Sequence, residues 1–200
     1  PFGLTQTTLP AADDTSMQTP YSHGYMYGGS YYALADEPYP ADMQAAAQAG
    51  TLQPIDYTNQ NPSYATAAGG AISTAADLAT WMQEPDSGQV FNADYHRQWL
   101  DSVQAEDPAA GPNGQKYGDG ITEQRFGPKA AMYYHGGELP GFNSFMGYDP
   151  DNDVALVIWT NLTLSPDGRT TAQGMLATML DEIYTGLSLA SPPTPTTPTR

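Results

Sequence analysis

A histidine leads into two glycines at His135-Gly136-Gly137, and the run continues as Glu138-Leu139-Pro140-Gly141-Phe142 between two apolar segments. That spacing describes a strand edge, because glycines carry no side chain to hold a second backbone away from the strand. The chemistry such an edge suits is the binding of an extended substrate beside an imidazole. A plainer reading stands next to it: a strand-end histidine whose nitrogens are satisfied by its own backbone. His23, in Ser22-His23-Gly24-Tyr25, reads equally as an organiser of its loop or as a group lining a cleft, and His96 reads as a solvent-facing helix residue. No two histidines fall in an H-x-x-x-H spacing and there is no cysteine, so neither a metal nor a cofactor is expected. Asn161-Leu162-Thr163 fits a glycosylation acceptor, whereas Pro62 removes Asn61-Pro62-Ser63 from that class.

Composition narrows the setting of this run. The 200 residues suit one domain, and without cysteine its stability rests on packing. A net charge of -16, from 22 acidic against 6 basic residues, makes nucleic acid and anionic membrane surfaces poor partners. No stretch approaches the roughly 20 apolar residues of a membrane span. Leu, Ile, Val and Phe number 28, and 6 of them fall in residues 1–70 against 22 in the rest, so the regular core must come from the second part of the chain.

The elements that position the histidine follow from periodicity. Residues 1–70, rich in Gly, Pro, Tyr, Asn and Gln, predict ordered loops with a short helix over 41–49. Thr74, with Asp77 three positions on, caps a predicted helix over 74–83, and Asn92 caps another in which Tyr95, Trp99, Leu100 and Val103 share a face. Strands are predicted over 117–124, 130–135, 142–148 and 154–160, the last as the central strand because it is the most apolar run. The short polar turn 149–153 makes its neighbours antiparallel, and a helix over 171–187 presents Ala172, Leu176, Met179, Leu180 and Ile183 to the sheet. The fold class is therefore α/β of the α+β type: an antiparallel meander flanked by helices, over residues 1–187. Residues 188–200 form a Pro/Thr tract expected as a disordered tail of the kind found on secreted or cell-envelope proteins.

Four segments in this order resemble the C-terminal portion of the penicillin-binding family that includes class C β-lactamases, D-alanyl-D-alanine carboxypeptidases and related serine esterases. They are Pro1-Phe2-Gly3-Leu4-Thr5-Gln6-Thr7, His23-Gly24-Tyr25, the stretch Ala67-Ala68-Gly69-Gly70-Ala71-Ile72-Ser73-Thr74-Ala75-Ala76-Asp77-Leu78, and His135-Gly136-Gly137 with Pro140-Gly141-Phe142. The last is similar to the His-x-Gly form of a strand motif that is Lys-Thr-Gly elsewhere in the family. The resemblance implies acyl transfer, in which the serine of a Ser-x-x-K motif attacks a carbonyl and backbone amides hold the oxyanion. It would place His135 beside the reacting carbonyl as a donor, Gly136 and Gly137 against the substrate backbone, and the Glu138 N–H as the second oxyanion donor.

The chain's two lysines, Lys116 and Lys129, follow Asn113 and Phe126 at the required spacing, so these residues contain no Ser-x-x-K. Tyr57-Thr58-Asn59 reads Tyr-x-Asn but lies on the wrong side of the Pro-Phe-Gly-Leu segment, and is read as a turn. The resemblance therefore implies the C-terminal part of a longer enzyme, inactive alone, whose N-terminal segment supplies the nucleophile. Its substrate would be a small-molecule or peptidoglycan-type amide or ester, and the scarcity of cations tilts this toward esterase or amidase action. The competing class is a non-catalytic binding or scaffold protein of the same fold. The tyrosine-rich stretch 21–39 either lines a cleft for a bulky group or covers a thin core.

Overall fold

The computed structural model describes residues 2–35, 38–126 and 130–185. Before residue 70 regular structure is sparse. Strands β1 (Tyr25–Met26) and β2 (Ile55–Asp56) pair antiparallel, with helices α1 (Tyr31–Ala35) and α2 (Ala41–Gln48) between them in sequence. A single turn of helix, α3 (Thr66–Gly69), leads to α4 (Ala75–Ser87) and α5 (Ala93–Asp101). The main sheet then follows as β3 (Gln104–Ala105), β4 (Lys116–Tyr117), β5 (Thr122–Phe126), β6 (Ala130–Leu139), β7 (Phe142–Asp149) and β8 (Val154–Thr160), and α6 (Thr171–Tyr184) comes last. The six strands lie in sequence order, each antiparallel to the next.

Alternation along β7 fixes which face is buried: Asn143, Phe145, Gly147 and Asp149 point inward and their neighbours do not. Met132, Phe145, Leu156 and Ile158 of the sheet meet Ala172, Leu176, Leu180 and Tyr184 of α6, which sit at the helical spacing of four. The Phe145 ring stacks on Tyr134 at 4.9 Å. Each fully buried apolar side chain in this layer stabilises the fold by about 1.5–3 kcal/mol. The helix is also tied at both ends to β7. Asn143 Oδ1 accepts from the Ala172 N–H at 2.8 Å, and Asp149 Oδ2 accepts from the Tyr184 hydroxyl at 2.7 Å.

Several expectations change. The strand predicted over 117–124 is two strands, because Gly118 and Gly120 make a turn closed by the Gly118 N–H on the Ile121 carbonyl at 2.9 Å, with Gly120 at φ +73°. Strand β8 is not central but the last strand of the sheet among the described residues. Its apolarity has another cause: α6 and α4 both lie against it, and an apolar run reports covered faces rather than paired edges. Strands β6 and β7 run to Leu139 and Asp149, beyond their predicted ends. Helix α4 begins at the Thr74 cap as expected and continues past Pro85 to Gly88, whose φ of +75° ends it. Asn92 caps α5, which stops at Asp101 and leaves Val103 outside. His96 is half-buried against Trp99, with ring centroids 6.0 Å apart, rather than facing solvent. Helix α6 ends at Tyr184, short of the predicted 187, because the backbone is already extended at Thr185; residues 186 and 187 and the predicted tail over 188–200 lie outside the described residues.

Candidate active site

Strand β6 has two different halves. From Ala130 to Tyr134 it pairs with β5, the last pair being Thr122 with Tyr134, and Tyr133 and Tyr134 pair with β7 as well. From His135 to Leu139 it pairs only with β7. In an antiparallel ladder alternate residues direct both N–H and C=O to one side, so this half presents part of its backbone polar groups away from β7. His135, Gly136, Gly137 and Glu138 are thereby brought together along a half-open edge.

His135 opens that edge. Its Nδ1 lies 2.5 Å from the Gly136 carbonyl and its Nε2 3.1 Å from the Tyr117 hydroxyl, the two rings meeting edge-on at 6.0 Å. The glycines have neighbours inside the fold as well as the open edge. A Cβ on Gly136 would come 2.9 Å from Gln173 Nε2, and one on Gly137 would run into the hydroxyl of Ser144 across the ladder. Both obstacles are movable side-chain ends, so packing alone does not demand glycine there.

Asn143, a residue the sequence reading passed over, reaches the edge from behind. Its Nδ2 donates to the Gly137 carbonyl at 3.1 Å while its Oδ1 holds the first turn of α6. The signal was a polar residue at an inward position of an alternating strand, readable only once the face is known. Glu138 is half-buried, and the negative charge of its carboxylate acts on the phenol of Tyr39. Tyr39 is 2% exposed and packs edge-on against Tyr27 and Tyr32; its phenol is pushed up to about 12, first by burial and further by that carboxylate. The tyrosine-rich stretch thus divides, with Tyr39 covering the interior and Tyr21 and Tyr31 remaining exposed.

The far end of the edge is the turn at Pro140 and Gly141. Gly141 has φ +96°, and a side chain there would press on the backbone of Gly24 at 3.1–3.2 Å. Its N–H donates to Thr163 Oγ1 at 2.6 Å, and that hydroxyl donates to the Leu139 carbonyl at 2.9 Å. The Pro140 carbonyl accepts from the Gln60 side chain, and the Gly141 carbonyl accepts from the Tyr25 N–H at 3.1 Å. Gly24 has the Phe142 ring 2.5 Å from where a Cβ would stand. The His23-Gly24-Tyr25 segment is therefore a buttress for the turn that closes the His-Gly-Gly strand.

His23 itself is half-exposed and meets Asp56 Oδ2 at 2.9 Å. Asp56 is held down to about 2, chiefly by the hydroxyl and backbone N–H of Thr58 and then by His23. This is the loop-organising alternative for His23. Tyr57-Thr58-Asn59 is a turn, with the Gln60 N–H on the Tyr57 carbonyl at 3.2 Å. The glycosylation pattern is occupied by the fold: Asn161 Nδ2 donates to the His23 carbonyl at 2.9 Å, and Thr163 is fully buried.

The remaining two segments of the resemblance form a second pair. Thr8 bridges Ile72, the Gln6 N–H and Thr7 hydroxyl donate to Asp77 Oδ2 at 2.8 and 2.7 Å, and Phe2 meets Trp81 edge-on at 6.0 Å. Thr74 caps α4 by accepting from the Asp77 N–H at 3.2 Å, while the Asp77 carboxylate holds the N-terminal segment. Among the described residues no three His, Asp or Glu side chains are grouped so as to hold a metal ion.

The Beta-lactamase family model matches residues 1–179. Among solved structures, a D-stereospecific amidohydrolase from Streptomyces sp. is 22% identical with a TM-score of 0.68, over 94% of this chain and 46% of that one. The D-amino acid amidase from Ochrobactrum anthropi SV3, complexed with L-phenylalanine amide, is 20% identical with a TM-score of 0.65, over 92% and 46%. A penicillin binding protein from Bacillus halodurans is 15% identical with a TM-score of 0.57, over 92% and 45%. The chain thus spans slightly under half the length of these proteins, with which it shares the antiparallel sheet and flanking helices. No curated protein matches it.

Proposed function

Because this chain belongs to the β-lactamase family, we propose that it is the C-terminal portion of a serine hydrolase that cleaves amides through an acyl-enzyme. One observation carries the reading: the half of β6 that begins at His135 is paired on one side only, and its far end is braced by three separate segments of the chain. An extended substrate fits that edge by completing its ladder. Its carbonyl would then lie near the Glu138 N–H, which serves as an oxyanion donor, with His135 assisting as charge develops. The attacking serine and its lysine belong to a segment outside these residues, since no Ser-x-x-K occurs within them. An amide is favoured over an ester because two of the structural relatives are named for amide hydrolysis. The Pro/Thr tract fits a protein that works outside the cytoplasm or at the cell envelope.

The test is His135→Ala in the full-length protein. Turnover should fall by about 100-fold or more with the fold intact, and unchanged turnover would remove His135 from the mechanism. The absence of Ser-x-x-K also admits a binding protein of the same fold, and a serine-directed fluorophosphonate separates the two. A hydrolase is labelled when full-length and unlabelled as this chain alone; a binder is unlabelled in both forms.

A further inference from the structure

The contact between Tyr117 and His135 joins residues from separate strands. Tyr117 closes β4, and the tight turn after it holds it in place. Gly118 lies against Ser102 and Val103 so closely that a Cβ would meet the Val103 nitrogen at 2.9 Å, and Ile121, which ends the turn, is buried. From there the phenol reaches past the start of β5 to His135 Nε2 at 3.1 Å. The neighbouring cation is engaged elsewhere, Lys116 pairing with Glu123 at 2.8 Å.

Proton bookkeeping at the imidazole follows from its two partners. The Gly136 carbonyl at 2.5 Å from Nδ1 can only accept, so Nδ1 carries a proton. In the neutral ring Nε2 is then an acceptor, and the hydroxyl of Tyr117 is its donor. We propose that Tyr117 is a positioning residue for His135: by donating to Nε2 it holds the ring in the pose in which Nδ1 donates to the Gly136 carbonyl, so that loss of the phenol frees both the direction of the ring and its tautomer. On protonation of the ring Nε2 becomes a donor and the phenol oxygen accepts, so one ring pose serves both charge states. The catalytic consequence rests on the role given to His135 under Proposed function; the tautomer itself does not.

The experiment reads the ring directly. In the full-length protein labelled with nitrogen-15 histidine, the long-range proton–nitrogen correlations distinguish the tautomers, and single His→Gln variants at His23, His96 and His135 assign the three imidazoles of these residues. His135 should show Nδ1 protonated and Nε2 bare. Tyr117→Phe should move it to a mixture or to the Nε2–H form while His23 and His96 keep their patterns. A wild-type Nε2–H tautomer overturns the proposal, and so does a Tyr117→Phe pattern identical to wild type. Should all three histidines shift because the variant has lost its fold, an Overhauser contact between the Tyr117 and His135 rings in the wild type decides, its absence counting against the proposal. In the full-length enzyme Tyr117→Phe should lower kcat roughly 10- to 100-fold with KM little changed, as expected for a displaced reacting group. If His135→Ala leaves turnover intact, the hydrolase role of His135 fails while the tautomer result stands.

Discussion

The two ends of β7 solve the same problem with different residues. At each end one buried polar side chain holds α6 to the strand, Asn143 at the first turn of the helix and Asp149 at its last. Both are 1% exposed. Asp149 spends its remaining capacity on its own turn, accepting from the Asp151 and Asn152 N–H groups at 3.0 and 3.2 Å and from Asn152 Nδ2 at 2.8 Å. Asn143 instead passes its second contact across the ladder to the Gly137 carbonyl. A carboxylate can only accept, so it suits a turn full of donors; an amide both accepts and donates, so it can couple a helix to a neighbouring strand. The Asp149 end is therefore a structural clamp, and the Asn143 end connects the core layer to the half-open edge.

Breaking the clamp should have the largest effect on stability. Asp149→Ala leaves four donors without their acceptor and should cost about 2–4 kcal/mol, read as a lowered urea midpoint with an unchanged slope. Asn143→Ala should cost less, about 1–3 kcal/mol, yet it should speed amide hydrogen exchange around Gly137, which Asp149→Ala should leave slow. Equal exchange at Gly137 in both variants would dissolve the distinction between the two ends.

The smallest effect is in alkali and sharpens the comparison from the titratable side. Burial and the bond to Asp149 raise the Tyr184 phenol above its ordinary value of 10. A folded value raised above the unfolded one means that this contribution is fully present below pH 10 and is lost as the pH rises beyond it. Tyr184→Phe should flatten the fall in stability above pH 10, measured by chemical denaturation at stepped pH. Tyr39, pushed up to about 12 by burial, adds a second fall between pH 10 and about 12 that Tyr184→Phe leaves in place.

Much of this architecture is legible in the chain. The inward alternation of Phe142–Asp149 and the fourfold spacing Ala172, Leu176, Leu180 are local patterns, and local patterns survive folding because they reflect the strand and helix periods themselves. Thr74 and Asn92 mark their helix starts for the same reason, each accepting N–H bonds within three residues. The reading failed where the deciding partner is distant. The position of β8 depends on which strands lie beside it, and apolar composition is silent on that. Tyr117 was hidden in a segment read as one continuous strand, 18 residues from the histidine it meets.

The sequence alone determined the capped helices α4 and α5, the strands β6 to β8 and the amphipathic helix α6 in outline, the acidic balance, and the His-Gly-Gly run with its family resemblance, since each rests on residue type and short-range spacing. Only the tertiary structure decided that the four resembling segments meet as two pairs, that β6 is open along half its length, and that His135 is held between Gly136 and Tyr117. Those features depend on chain-distant groups brought within 3 Å or so of one another, a separation set by packing of the whole fold and not by any local rule.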